Sequence, residues 1–134
     1  VSRLRALFGV VFVLWAGSLW ALALWVAPTL FAAQSDRHLA GLLAARLFSI
    51  ETYLALGVSA FALLMPGRGR FAAGYAAAAL LAVNEWGLKL LMTRAHTHGA
   101  AWGLSFGAWH GVSAVLYVVA CLAVLQRVWH ERAG

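Results

Sequence analysis

The chain has 134 residues, of which 64% are hydrophobic and only 10% charged, and it carries a formal charge of +6. Soluble domains run nearer ~45–50% apolar and ~25% charged, and a soluble domain this small would have to hide nearly every side chain, which surface-to-volume scaling forbids. The composition points to the lipid bilayer as solvent, and the lack of a contiguous basic face excludes nucleic acid as a partner.

The first apolar run extends from about Leu7 to Phe31 (7–31) behind Arg3 and Arg5. A basic start followed by an apolar run resembles a signal peptide, but this run is too long for a typical h-region and more spans follow. It reads as a retained membrane helix. Trp15, Trp20 and Trp25 are spread around it, while Gly17 and Ser18 are small enough to admit a neighbouring helix. Pro28 lies near its end, where it frees a carbonyl one turn earlier. It reads either as a tolerated terminal proline or as the residue that opens the helix beside a site.

Gln34 to His38 form the first connection, with Ser35 or Asp36 in position to cap the next helix. The second run, Leu39 to Leu64 (39–64), holds Glu51 near its middle and Arg46 five residues earlier. About 20 apolar residues span a bilayer core, so this run is long enough. An ionised carboxylate cannot stand alone in hydrocarbon; Glu51 must face protein, pair with a base, or be neutral. Met65-Pro66-Gly67-Arg68-Gly69-Arg70 is turn chemistry throughout. The third run, Phe71 to Met92 (71–92), opens Ala- and Gly-rich and then carries Asn84, Glu85 and Lys89. Thr93 to Gly99 reads as a loop with a His96-x-His98 pair, and the fourth run covers Trp102 to Val128 (102–128). Cys121 is the single cysteine, so no internal disulfide or CxxC site exists.

These runs predict an all-α, polytopic membrane protein of four transmembrane helices in one antiparallel bundle and one domain (1–134). Arg3, Arg5, Arg68, Arg70, Arg127 and Arg132 fall on one side of it, against Arg37 and Arg94 in the loops of the other. Positive-inside bias then places both termini in the cytoplasm of a bacterial inner membrane. The small-residue face of the third run predicts close helix contact, and from it a homo-oligomer, most simply a dimer.

Counted in depth, the unusual residues of all four runs share the outer half: Pro28, Arg46 and Glu51, Glu85 and Lys89, and Trp109 with His110. Glu85 and Lys89 are an i,i+4 pair. Two readings stand. The groups are packing glue between helices, as expected of a structural partner subunit, or they line a polar site. In the second reading Glu51 is a proton or cation site with Arg46 or Lys89 as counter-ion and His110 as relay, which suits a small transporter or a solute- or ion-binding protein. His110 could instead be an axial ligand of a b-type haem or belong to a quinone-linked electron-transfer protein, with His38, His96 or His98 as second ligand. A zinc or copper site at His96 and His98, with His38 beside them, lacks fixed third and fourth ligands. Nothing in these residues decides whether the protein is an enzyme.

Trp15-Ala16-Gly17-Ser18-Leu19 with Val26-Ala27-Pro28-Thr29-Leu30-Phe31, then Ala40-Gly41 with Leu47-Phe48, and finally Phe106-Gly107-Ala108-Trp109-His110-Gly111-Val112-Ser113, resemble the bacterial members of the TMEM205-like membrane proteins. The resemblance covers most of the chain and implies a four-helix membrane protein of uncharacterised biochemistry. The link of its eukaryotic relatives to drug resistance and secretory traffic implies export. It places Pro28, Phe31, Glu51, Trp109 and His110 at emphasised positions and leaves the His96/His98 pair outside the pattern.

Overall fold

A computed structural model describes residues 2–133, with the side chains of Ser2, Arg68, Phe106 and residues 131–133 excepted. Arg68 and Arg132, two of the bases counted for orientation, therefore lie outside the described side chains. Among the described residues four long helical segments form the fold, with a short 3-10 turn (Arg68–Phe71) leading into the third. The first joins α1 (Ser2–Ala21) through a π-turn (Leu22–Val26) to α2 (Ala27–Ala33). The second is α3 (Arg37–Leu63). The third joins α4 (Ala72–Val83) through a second π-turn (Asn84–Leu88) to α5 (Lys89–His98), and the fourth is α6 (Phe106–Ala133).

Local chemistry explains most of these boundaries. Asp36 caps α3, its Oδ1 accepting from the backbone N–H groups of His38 at 3.0 Å and Leu39 at 3.2 Å. Pro28 has no N–H for the Leu24 carbonyl and its ring presses on it. The turn just before it widens to π, with Ala27 N–H bonding the Leu22 carbonyl. Gly99 takes the left-handed conformation, φ +83°, where the chain leaves α5, and Gly67, φ +77°, does so in the turn between α3 and α4.

Two expected boundaries move. The third helix runs on to His98 instead of stopping at Met92, because Gly99 supplies the stop and His96 and His98 suit a helix C-terminus. The fourth begins at Phe106 instead of Trp102, because residues 101–104 form a tight two-residue hairpin turn. There Ala101 N–H bonds the Leu104 carbonyl at 2.9 Å and Leu104 N–H returns to Ala101 at 3.0 Å. The turn holds Trp102 at φ +51° and Gly103 at φ +77°.

Among the described residues three stretches are long and apolar enough to cross a membrane: Arg3–Ala33, Arg37–Leu63 and Gly107–His130. Only 28% of the apolar window of each is buried inside the protein, so most of that apolar surface needs lipid. The protein is an all-α, multi-pass membrane bundle. The third segment is less apolar because Asn84, Glu85, Lys89 and Arg94 interrupt it.

One end of the bundle is packed with aromatic rings. Phe71 stands at the centre, with ring centroids 5.4 Å from Phe8, 5.3 Å from Phe12 and 5.1 Å from Tyr75, all edge-on. Phe61 of α3 closes on Phe8 at 5.3 Å. The small-residue face of α4, Gly74, Ala77 and Ala78, is buried in this same core together with Ala120, Cys121 and Val124 of α6. The face from which a homo-oligomer was expected is thus spent within the chain. Towards the other end the core divides: Leu88, Leu91, Ala95, Ala101 and Trp109 pack as a separate cluster of the third and fourth segments, while α2 buries no residue at all.

Candidate functional site

Between the aromatic end and the divided end lies a layer of polar ties, one across each neighbouring pair of helices. Ser18 on α1 donates to Glu51 Oε2 on α3 at 3.0 Å. Lys89 Nζ, at the second π-turn, pairs with Glu85 Oε2 at 2.9 Å and donates to Ser49 Oγ on α3 at 2.7 Å, and Ser49 donates to Glu85 Oε1 at 2.8 Å. Asn84 Nδ2 donates to the Ser113 carbonyl on α6 at 3.2 Å, and Ser113 Oγ donates to Asn84 Oδ1 at 2.5 Å. Tyr117 on α6 closes the ring by donating to the Leu19 carbonyl on α1 at 2.8 Å. Both π-turns begin at or just beyond this layer, where such irregularities often mark function.

Glu51 is the buried carboxyl of the layer. It is 6% exposed and stands fourteen residues into α3, about 21 Å from the start of a helix about 40 Å long. Among the described residues no base pairs with it; its partner is Ser18. It lines a cavity of about 210 Å³ with Ser18, Ala21, Leu22, Val26 and Leu47. Val26 and Leu47 also wall a second, larger cleft of about 710 Å³ between α2 and α3, which reaches Arg46. Widening of the helix before Pro28 lies along both openings, although Pro28 itself is exposed and lines neither.

The expected counter-ions are not where the sequence suggested. Arg46 and Glu51 are five residues apart, about 140° around the helix, so Arg46 faces away and is exposed. Lys89 is held by Glu85 and Ser49, which satisfies two of the expected site residues with each other. His110 is exposed on α6 and is not among the residues lining the Glu51 cavity. Trp109 is buried, and its indole N–H donates to the Ala101 carbonyl at 2.9 Å, tying the hairpin turn to α6. His96 and His98 lie on the last turn of a helix, not in a loop. Two residues of spacing points them about 200° apart, so they cannot converge on one ion. Among the described residues, no three His, Cys, Asp or Glu side chains gather into a metal-binding group, His38 included.

Ser18, Asn84 and Ser113 are visible in the sequence as polar groups within apolar runs, but Ser49 and Tyr117 escape notice. A hydroxyl in an apolar helix can bond its own backbone, as Ser49 does to the Ala45 carbonyl at 3.0 Å. Its second bond, across to the next helix, leaves no sequence signal.

The profile of one protein family, a domain of unknown function (DUF4149), matches residues 10–100, which takes in most of the first helical segment and all of the second and third, and with them Ser18, Ser49, Glu51, Asn84, Glu85 and Lys89. The chain belongs to that family. No curated protein and no solved structure matches it.

Proposed function

We propose that this is a bacterial inner-membrane protein of four antiparallel spans, with both termini cytoplasmic, that binds and carries a small solute or ion through Glu51. The basic residues at the aromatic end, Arg3, Arg5, Arg70 and Arg127, support the orientation. The single observation that carries the function is Glu51: a buried carboxyl at mid-helix, without a base, on the wall of a cavity. A carboxylate costs several kcal/mol in such a place unless it is neutralised, so the group must hold either a proton or a cation. The hydrogen bonds favour a proton as the resting partner. Ser18 has one hydroxyl proton for two acceptors, the Trp15 carbonyl at 2.7 Å and Glu51 Oε2 at 3.0 Å. A carboxyl with its own proton completes the set by donating to Ser18 Oγ. Export, implied by the resemblance to TMEM205-like proteins, is one direction in which such exchange could be used.

Proton flux tests this directly. Vesicles holding the purified protein and a trapped pH-sensitive dye, under a potassium diffusion potential, should change internal pH faster than empty vesicles. Glu51→Gln should return the rate to that of empty vesicles while the protein remains inserted and helical. Equal rates for wild type and Glu51→Gln would end the proposal. They would favour a second reading, in which the closed ring of polar ties only holds four helices together for a partner subunit.

A further inference from the structure

We propose that the cleft between α2 and α3 is a binding site for an anionic phospholipid, with the Arg46 guanidinium on its phosphate and an acyl chain against Trp25, Val26, Leu43 and Leu47. The cleft holds about 710 Å³. Trp25, Thr29 and Arg46 line it with aliphatic neighbours, and the surface they present to it is almost wholly apolar, so the Arg46 stem walls the cleft and its guanidinium lies at the rim. α2 buries none of its residues and Trp25 is 71% exposed, so among the described residues no other helix covers the opening. Lipid is what lies there.

Arg46 makes this cleft selective. It is exposed and, among the described residues, has neither an ion pair nor a hydrogen bond to a carboxylate. A guanidinium at the lipid-facing surface needs an anion. Depth decides which anion. α3 has 27 residues and is about 40 Å long, which exceeds a ~30 Å hydrocarbon core by roughly 5 Å at each end. Arg46 then lies roughly 8 Å inside the hydrocarbon boundary nearest the α3 N-terminus. Its stem can bring the guanidinium up to the headgroup level of that leaflet, where the fixed anions are lipid phosphates. A net negative lipid keeps that pairing free of a competing choline or ethanolamine cation. The inference does not depend on Glu51, which lies deeper and outside this cleft's lining.

Trp25 is a natural reporter. In phosphatidylcholine vesicles, phosphatidylglycerol with brominated acyl chains should quench the Trp25 share of the fluorescence at about a 5-fold lower mole fraction than brominated phosphatidylcholine, since one basic side chain near the surface contributes about 1 kcal/mol. The Trp25 share is obtained by subtracting Trp25→Phe. Arg46→Gln should abolish the preference and Arg46→Lys should retain most of it. Equal quenching by both lipids in the wild-type protein would overturn the proposal without any variant. So would a preference in the Trp25 share that survives Arg46→Gln, or displacement of the lipid by inorganic phosphate, which would mark a free-anion site instead.

Discussion

Replacing Gly74 with alanine isolates the packing of the aromatic end. A Cβ added there would run into the Phe71 ring. Phe71 is 3% exposed and hemmed by Phe8, Phe12 and Tyr75 at 5.1–5.4 Å, so it cannot swing aside without moving its neighbours. Overpacking of this kind costs about 1–3 kcal/mol. The helix gains up to about 1 kcal/mol from exchanging glycine for alanine, less here because Gly74 lies in the first turn of α4. The net loss should be about 1 kcal/mol. Gly57, inside α3 and six residues before its last residue, would meet nothing within 4 Å of an added Cβ, so Gly57→Ala should stabilise by up to about 1 kcal/mol. Equilibrium unfolding of the detergent-solubilised protein reads both changes. The pair should shift the midpoint in opposite directions, and Phe71→Leu should suppress the loss in Gly74→Ala. A neutral Gly74→Ala, or the same sign for both glycines, would refute the packing described around Phe71.

Lys89→Met should destabilise by about 1–3 kcal/mol, because it leaves the largely buried Glu85 without its base; the double variant Glu85→Gln/Lys89→Met should recover part of that loss, as a double-mutant unfolding cycle would show. Tyr117→Phe keeps the edge-on contact with Phe48 at 4.8 Å and loses the bond to the Leu19 carbonyl together with the weaker one to the Cys121 thiol. It should cost about 0.6 kcal/mol in the same assay, and a loss several times larger would contradict the reading of Tyr117 as one local tie between α6 and α1. Trp102→Asn should hold or raise stability in detergent, since asparagine before Gly103 suits the left-handed turn position that tryptophan occupies at φ +51°. A marked drop in midpoint would mean that the Trp102–Trp109 ring contact at 6.0 Å outweighs the backbone.

The apolar runs and the shared depth of their polar residues were legible because hydrocarbon leaves few other places for such groups. Glu51, Glu85 and Lys89 do meet the same layer of the bundle. The partners were harder to read. Rotation about the helix axis separates Arg46 from Glu51, and counting five residues at 100° each would have shown it. His96 and His98 looked like a loop because threonine and histidine are poor helix formers. Gly99 behind them was the better signal, since a helix end wants a left-handed glycine and tolerates histidine. Pro28 announced a disturbed turn, whereas the second π-turn, at Asn84–Leu88, has no proline to announce it. Ser49 and Tyr117 act across helices, and which neighbour a hydroxyl meets depends on packing that no short stretch of sequence encodes.

The account turns on Glu51 being a reachable carboxyl without a base, set apart from Glu85, which has one. A membrane-soluble carbodiimide attacks a neutral carboxylic acid in an apolar setting and spares an ion-paired carboxylate. Intact protein in lipid vesicles, treated with such a reagent and digested for mass spectrometry, should carry the adduct on Glu51 and little on Glu85, and Glu51→Gln should remove it. Labelling of Glu85 with Glu51 untouched would contradict the account, because it would place the unpaired, accessible carboxyl on the third helical segment instead of in the cavity beside Ser18.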